Sequence, residues 1–227
     1  MQIDLEKEQH ATLERPRYEY STAARFFFGA MDLLTGRKTT LAKAKIIEML
    51  AGIPYRSWEI RQYARMTRLH RDRAAVERAR AIMEWGRQAQ DNEFWHLLVI
   101  EEKMREDGAR DPWYLFPPIP WLMTAGYMLL ARLMALVNIR RAFLFNAEFE
   151  DHAEHVYASF VADHPEWETE RVRSTLVARF GDFESWADVF RRIGLDERDH
   201  MNTSFAFCRM REHVVRYEGM PPLPDIR

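Results

Sequence analysis

Two Glu-x-x-His pairs, Glu93/His96 and Glu197/His200, stand far apart in this chain, each inside an otherwise apolar helical stripe. Positions three apart share one face of a helix, one turn apart, so a Glu and a His at that spacing can reach one point together. Helical steps out from Glu93 pass Trp85, Ala89, His96, Leu97, Ile100 and Met104. From Glu197 they pass Val189, Phe190, Ile193, His200, Met201, Phe205 and Cys208. Such stripes face a core, where a carboxylate is costly unless it is paired or holds a metal. Glu48 and Glu150 sit on apolar helical segments of their own. One such Glu–His pair arises easily by chance, and its plain reading is a buried hydrogen-bonded couple. That reading leaves Glu48 and Glu150 unexplained.

One Glu from each of two helices, with Glu-x-x-His from each of two more, is the ligand set of a dinuclear carboxylate site in a bundle core. The expected fold is therefore all-α: a ferritin-like four-helix bundle with extra short helices and a di-iron site in its core. Carboxylate and imidazole suit Fe(II), Mn(II) or Zn(II), and dioxygen chemistry needs the redox-active ones.

A chain of 227 residues is expected to be one domain, or one with a small appendage, and 47% hydrophobic and 13% aromatic residues support a sizeable core. A net charge of −2 gives no electrostatic footprint for nucleic acid. One cysteine, Cys208, excludes an internal disulfide and any cysteine-based zinc or iron–sulfur site. The opening MQIDLEKEQHATLE is unlike a signal or transit peptide and reads as a bacterial-type cytosolic start.

The organisation expected is a polar arm (1–20), a core domain (21–217) and a proline-rich tail (218–227). Helices are expected over 21–35, stopped near Gly36; from Thr40 through Glu48, kinked at Pro54; over 72–106; over 121–162; a short one over 167–179; and over 184–217. The stretch from Asp107 to Pro120 reads as a loop. The apolar run 121–131 is interrupted by Arg132, and 133–139 ends at Arg140 and Arg141. Neither approaches the roughly 20 residues of a spanning helix. The choice is between a buried bundle helix and an in-plane amphipathic helix with its arginines at the headgroups and Trp113, Tyr114 and Trp121 as anchors. RFFFGAMDLL (25–34) can supply a second half of that surface.

Four blocks carry a family resemblance. IIEMLAGIPY (46–55) resembles the LET-x-A-x-x-P block of the alternative oxidases. DNEFWHLLVIEE (91–102) resembles their NERMHL block, and more closely the matching block of the plastid terminal oxidases. FEDHAEHVY (149–157) resembles LEEEA-x-HSY, and LDERDHMN (195–202) resembles RADE-x-x-H. The blocks fall in the family's order and cover roughly 25–205. The resemblance implies a non-proton-pumping quinol:oxygen oxidoreductase, usually a homodimer, held on one leaflet. For this chain that is the cytoplasmic side of a bacterial inner membrane. It implies two non-haem irons on Glu48, Glu93, His96, Glu150, Glu197 and His200, with Glu48 and Glu150 bridging. Tyr157 matches a redox-active tyrosine, and Asn92 and Asp196 match residues that support the ligands by hydrogen bonds. Lys43 and Ile47 would line the pocket for a ubiquinol- or plastoquinol-type substrate.

Two departures bear on that pocket. Lys43 stands where the family has an arginine, so the charge stays and the planar fork of donors goes. Val156 stands where a hydroxyl residue is usual. Two quinols would deliver four electrons, turning one dioxygen into two waters, with Tyr157 lending an electron and a proton. A di-iron hydroxylase acting on a quinone-like or other organic substrate would share every ligand. An iron-binding bundle would leave the blocks unexplained. Of the other histidines, His152 and His155 lie off the Glu150 face, and His70, His164 and His213 read as surface residues.

Overall fold

The computed structural model describes residues 3–224. Among them are seven α-helices and no strand: α1 (Leu5–Glu14), α2 (Thr22–Thr35), α3 (Leu41–Leu69), α4 (Arg73–Glu106), α5 (Ile119–Asp163), α6 (Val177–Phe180) and α7 (Trp186–Cys208). The chain divides into two compact units. One gathers the residues up to Ala30 with those from Phe143 on; the other runs from Met31 to Ala142.

The second unit is built on an α3–α4 hairpin. Thr40 and Asp72 cap its helices, their side chains accepting from the backbone N–H of Lys43 and Ala75. These hydroxyl and carboxylate caps satisfy N–H groups that have no partner inside the helix. Pro54, where a kink was expected, lies inside one continuous helix. A Cβ on Gly86 would stand 3.3 Å from the Tyr55 carbonyl, so α4 passes close to α3 at this point. Beside it, Trp58 stacks on Trp85 at 5.5 Å and Tyr55 meets Trp85 edge-on at 5.1 Å. The first half of α5 lays a narrow stripe of Tyr127, Ala131 and Ala135 inward. Trp121, Leu122, Leu129, Leu133, Leu136 and Val137 stay exposed on it.

The first unit pairs the second half of α5 with α7. Phe143 stacks on Phe207 at 5.0 Å and Tyr157 on Phe190 at 6.2 Å, which sets the helices antiparallel. Trp167 and Trp186 close around Phe190 at 4.6 and 6.1 Å.

The structure corrects several expected boundaries. The polar arm contains α1, whose Gln9 and Thr12 are buried. Asn138 breaks α5 with φ −156° and ψ 100°. Its side chain then caps the second half, accepting from the N–H of Arg140 and Arg141 at 3.1 and 3.4 Å. The helix expected over 167–179 is instead a 3-10 turn (Pro165–Glu168), an extended link bridged at Arg171 and Ser185, and the four-residue α6. The last long helix stops at Cys208, because Arg209 turns left-handed at φ 66°. The following stretch folds back, and Asn202 clasps the Val215 backbone through two 2.8 Å bonds.

Candidate metal centre

Each unit holds one triad. In the second unit, α3 supplies Glu48, and α4 supplies Glu93 and His96 one turn apart. One donor atom from each lies within 4.8 Å of the others. His96 Nδ1 is 3.5 Å from an oxygen of Glu48 and 3.5 Å from one of Glu93. In the first unit, α5 supplies Glu150, and α7 supplies Glu197 and His200. The same 4.8 Å bound holds for these three, and His200 Nδ1 lies 3.5 Å from a Glu197 oxygen. All six residues are buried, Glu150 and His96 completely. Both triads were legible as i, i+3 pairs; which helix brings the third carboxylate was not.

The donor set fits a metal ion. Carboxylate oxygens and imidazole nitrogens at this spacing can converge on one hard or borderline divalent cation, and four buried carboxylates gain most from a cation. The arrangement establishes buried Glu/His groups able to hold a metal; the donor chemistry alone admits iron, manganese or zinc.

Support around Glu150 comes from Asn146, one turn earlier on α5. Its amide donates to Glu150 Oε1 at 2.9 Å and to Ser204 Oγ on α7 at 3.1 Å. Asn146 escaped the sequence reading, although a lone Asn one turn before Glu150 on an apolar run was a signal for it. Asn92 is half-buried on α4, and half-buried Asp196 accepts from the Arg192 guanidinium. Tyr157 is buried on α5 among Phe160 and Phe190. A Cβ on Gly194 of α7 would stand 3.3 Å from the Tyr157 Cβ, so glycine makes room for it.

Lys43 is buried. Its Nζ donates to Asp32 Oδ1 at 2.5 Å and to the Gly36 carbonyl at 2.9 Å. Ile47 is half-buried one turn along α3. His155 is buried with Nδ1 2.8 Å from the Asp151 carbonyl and Nε2 3.0 Å from that of Arg15, so it braces the backbone. His152 stacks on Phe28 at 4.2 Å. His164 stacks on Trp167 at 4.3 Å, and His213 meets Tyr18 edge-on at 5.0 Å.

The larger omission from the sequence reading is the buried charge of the first unit. Glu148, Asp151, Glu154, Arg191 and Arg198 are all buried. Burial raises the Glu148 carboxyl above its ordinary pKa, although Ser21 donates to it through its N–H at 2.6 Å and its hydroxyl at 2.7 Å. Burial opposes the charge on Arg198, but Glu154 and Glu8 outweigh it and hold its pKa above the ordinary value. The signal was a run of four acidic residues within one helical stretch, too many to serve a metal.

A solvent-open cavity of about 580 Å³ lies in the second unit. Glu48 and Glu93 border it, with Met49, Ile53, Phe94 and Met128 as apolar walls and Arg132 at its edge. By length and composition α5 can cross a membrane, and only 17% of its most apolar window is buried. No protein-family model matches the chain, and no curated protein matches it.

Proposed function

We propose that this chain is a quinol:oxygen oxidoreductase in which each of the two triads holds iron and which reduces dioxygen to water. The observation that carries the reading is the pair of buried triads, each one Glu plus one Glu-x-x-His. The four ordered blocks that resemble the alternative oxidases supply the reaction. Iron, when bound, would relay to dioxygen the four electrons that two quinols supply. Glu48, Glu93 and His96 would hold iron in one unit, and Glu150, Glu197 and His200 in the other. Asn146 donates to Glu150 Oε1 and so restrains the rotation of that carboxylate. Tyr157, buried among Phe160 and Phe190, would lend dioxygen reduction an electron and its hydroxyl proton together, both restored by quinol, because a phenoxide or a cation would be poorly solvated there. Lys43 already spends two of its three N–H donors on Asp32 and Gly36, which leaves one for a quinol oxygen.

The membrane contact is a monotopic one. The first half of α5 lies in the plane of one leaflet with Trp121, Leu129, Leu133, Leu136 and Val137 in the acyl region. The break at Asn138 and the exposed Arg132, Arg140 and Arg141 favour the plane over a crossing. Trp113 and Phe116, also exposed, extend the same apolar character before the helix begins.

The cavity beside Glu48 and Glu93 favours a second reading. It is large enough for a small organic molecule, and a di-iron hydroxylase would bind its substrate beside the ligands. One experiment separates the two. Protein loaded with Fe(II) is supplied with a short-chain quinol, oxygen uptake is followed, and the organic product is weighed by mass spectrometry. One oxygen consumed per two quinols, with only quinone formed and the uptake lost in Glu93→Ala, supports the oxidase. A product heavier by one oxygen atom supports the hydroxylase.

A further inference from the structure

We infer that Arg198 and Glu154 are positioning residues for the Glu150/Glu197/His200 triad, and that residues 4–15 form the strap that completes them. The inference rests on the metal reading above. On α5, Asn146, Glu150 and Glu154 follow at four-residue steps and so share one stripe. The middle residue belongs to the triad, and each outer one is bonded across to α7. Asn146 reaches Ser204 Oγ at 3.1 Å, and Arg198 Nε donates to Glu154 Oε1 at 2.8 Å. The helices are antiparallel, so Ser204 lies beyond His200 while Arg198 lies next to Glu197. The two cross-links therefore bracket the ligand layer, one turn to either side of Glu150. A slip of either helix by one residue, about 1.5 Å, breaks both.

The Asn146 link is complete within the helix pair, whereas the Arg198 link is not. Arg198 and Glu154 are each 1% exposed, and α5 and α7 leave most of their hydrogen-bonding capacity unmet. The N-terminal segment supplies the rest. Arg198 Nη2 donates to Thr12 Oγ1 at 2.7 Å and to the Glu8 carbonyl at 2.9 Å, and Nη1 donates to the Glu8 carboxylate. The Thr12 hydroxyl donates onward to Glu154 Oε1 at 2.7 Å. Arg15 donates to Glu154 Oε2 at 2.6 Å and to Asp151 Oδ1 at 2.7 Å, so it grips α5 on both sides of the same turn. A buried ion pair is stable only when its remaining donors and acceptors are met. Without the strap this pair must draw in water, and the α5–α7 contact that sets the triad loosens at one end.

The test is a Co(II) titration of the full chain, read by visible absorption, beside thermal melting in chelator. The variants are Thr12→Val, which keeps shape and deletes one hydroxyl, and Arg198→Lys, which keeps charge and deletes the fork. The expected result is Co(II) affinity lower by about tenfold in each, in the range for groups that orient ligands, with an altered band shape in both. Wild-type affinity and spectrum in both variants, even with lower melting temperatures, would overturn the inference and leave the strap a mere anchor. A wild-type chain that takes up no Co(II) would overturn the metal reading itself, a different failure.

Discussion

Replacing Glu93 by Gln separates a metal ligand from a carboxylate satisfied within the protein. The side chain is 1% exposed, and its donor oxygen lies within 4.8 Å of one from Glu48. Two like charges at that distance repel by about 3.5 kcal/mol at an effective dielectric of about 20. His96, 3.5 Å from both carboxylates, cancels part of this when protonated. A net relief of about 1–2 kcal/mol follows when glutamine keeps the shape and drops the charge, which for a chain of this size raises the melting temperature by about 2–8 °C. Metal-free Glu93→Gln is thus expected to melt above metal-free wild type. Metal reverses the order. An ion at about 100 times its dissociation constant stabilises the wild type by about 2.7 kcal/mol, whereas the variant has lost an anionic donor and gains less than half as much. Calorimetry in chelator and then in Mn(II) reads both numbers. A variant that melts lower than wild type in chelator, and gains as much from Mn(II), would refute the charge argument.

Three further perturbations have definite signs. Trp58, 1% exposed, stacked on Trp85 and edge-on to Tyr55, is expected to cost about 3–5 kcal/mol as Trp58→Ala; a loss below about 1 kcal/mol in urea unfolding contradicts the α3–α4 packing. Burial pushes the Glu59 carboxyl up, but Arg87, Tyr63 and Arg56 outweigh it and hold its pKa below the ordinary value. A depressed folded pKa contributes stability above the unfolded value that is lost as pH falls through the folded one. The gap between wild type and Glu59→Gln should therefore be widest near neutrality and close below about pH 4, as urea midpoints across that range will show. The double variant Leu133→Asp/Val137→Asp is expected to cut co-flotation with anionic vesicles by about tenfold or more while Co(II) uptake stays unchanged; unchanged flotation would remove α5 from the lipid contact.

Local signals carried much of the architecture. The cap at Thr40 begins α3 as expected, and α4 runs from Arg73 to Glu106, within a residue of the expected 72–106. These signals are legible because a cap and an apolar stripe act within a few residues of themselves. The misread segments depend on distant partners. α1 is a polar peptide with little apolar face, and it is held by Arg198, Glu154 and Arg191 from remote parts of the chain. The tail after Cys208 continues a helical pattern on paper, yet it turns at Arg209 and docks on Asn202 and Asp199, the latter through the Tyr217 hydroxyl at 2.9 Å.

The sequence by itself determined the two Glu–His pairs, since i, i+3 spacing on an apolar stripe places a Glu and a His together whatever the rest of the chain does. It determined the helical class for the same reason. Only the tertiary structure decided that Glu48 joins Glu93 and His96, that Glu150 joins Glu197 and His200, and that Lys43 is engaged by Asp32. It alone showed that Glu148, Asp151 and Glu154 are bonded to the N-terminal segment. A carboxylate's partner is set by which helix lies opposite it. That choice rests on burial and hydrogen bonding summed over the whole packed chain, which no local pattern encodes.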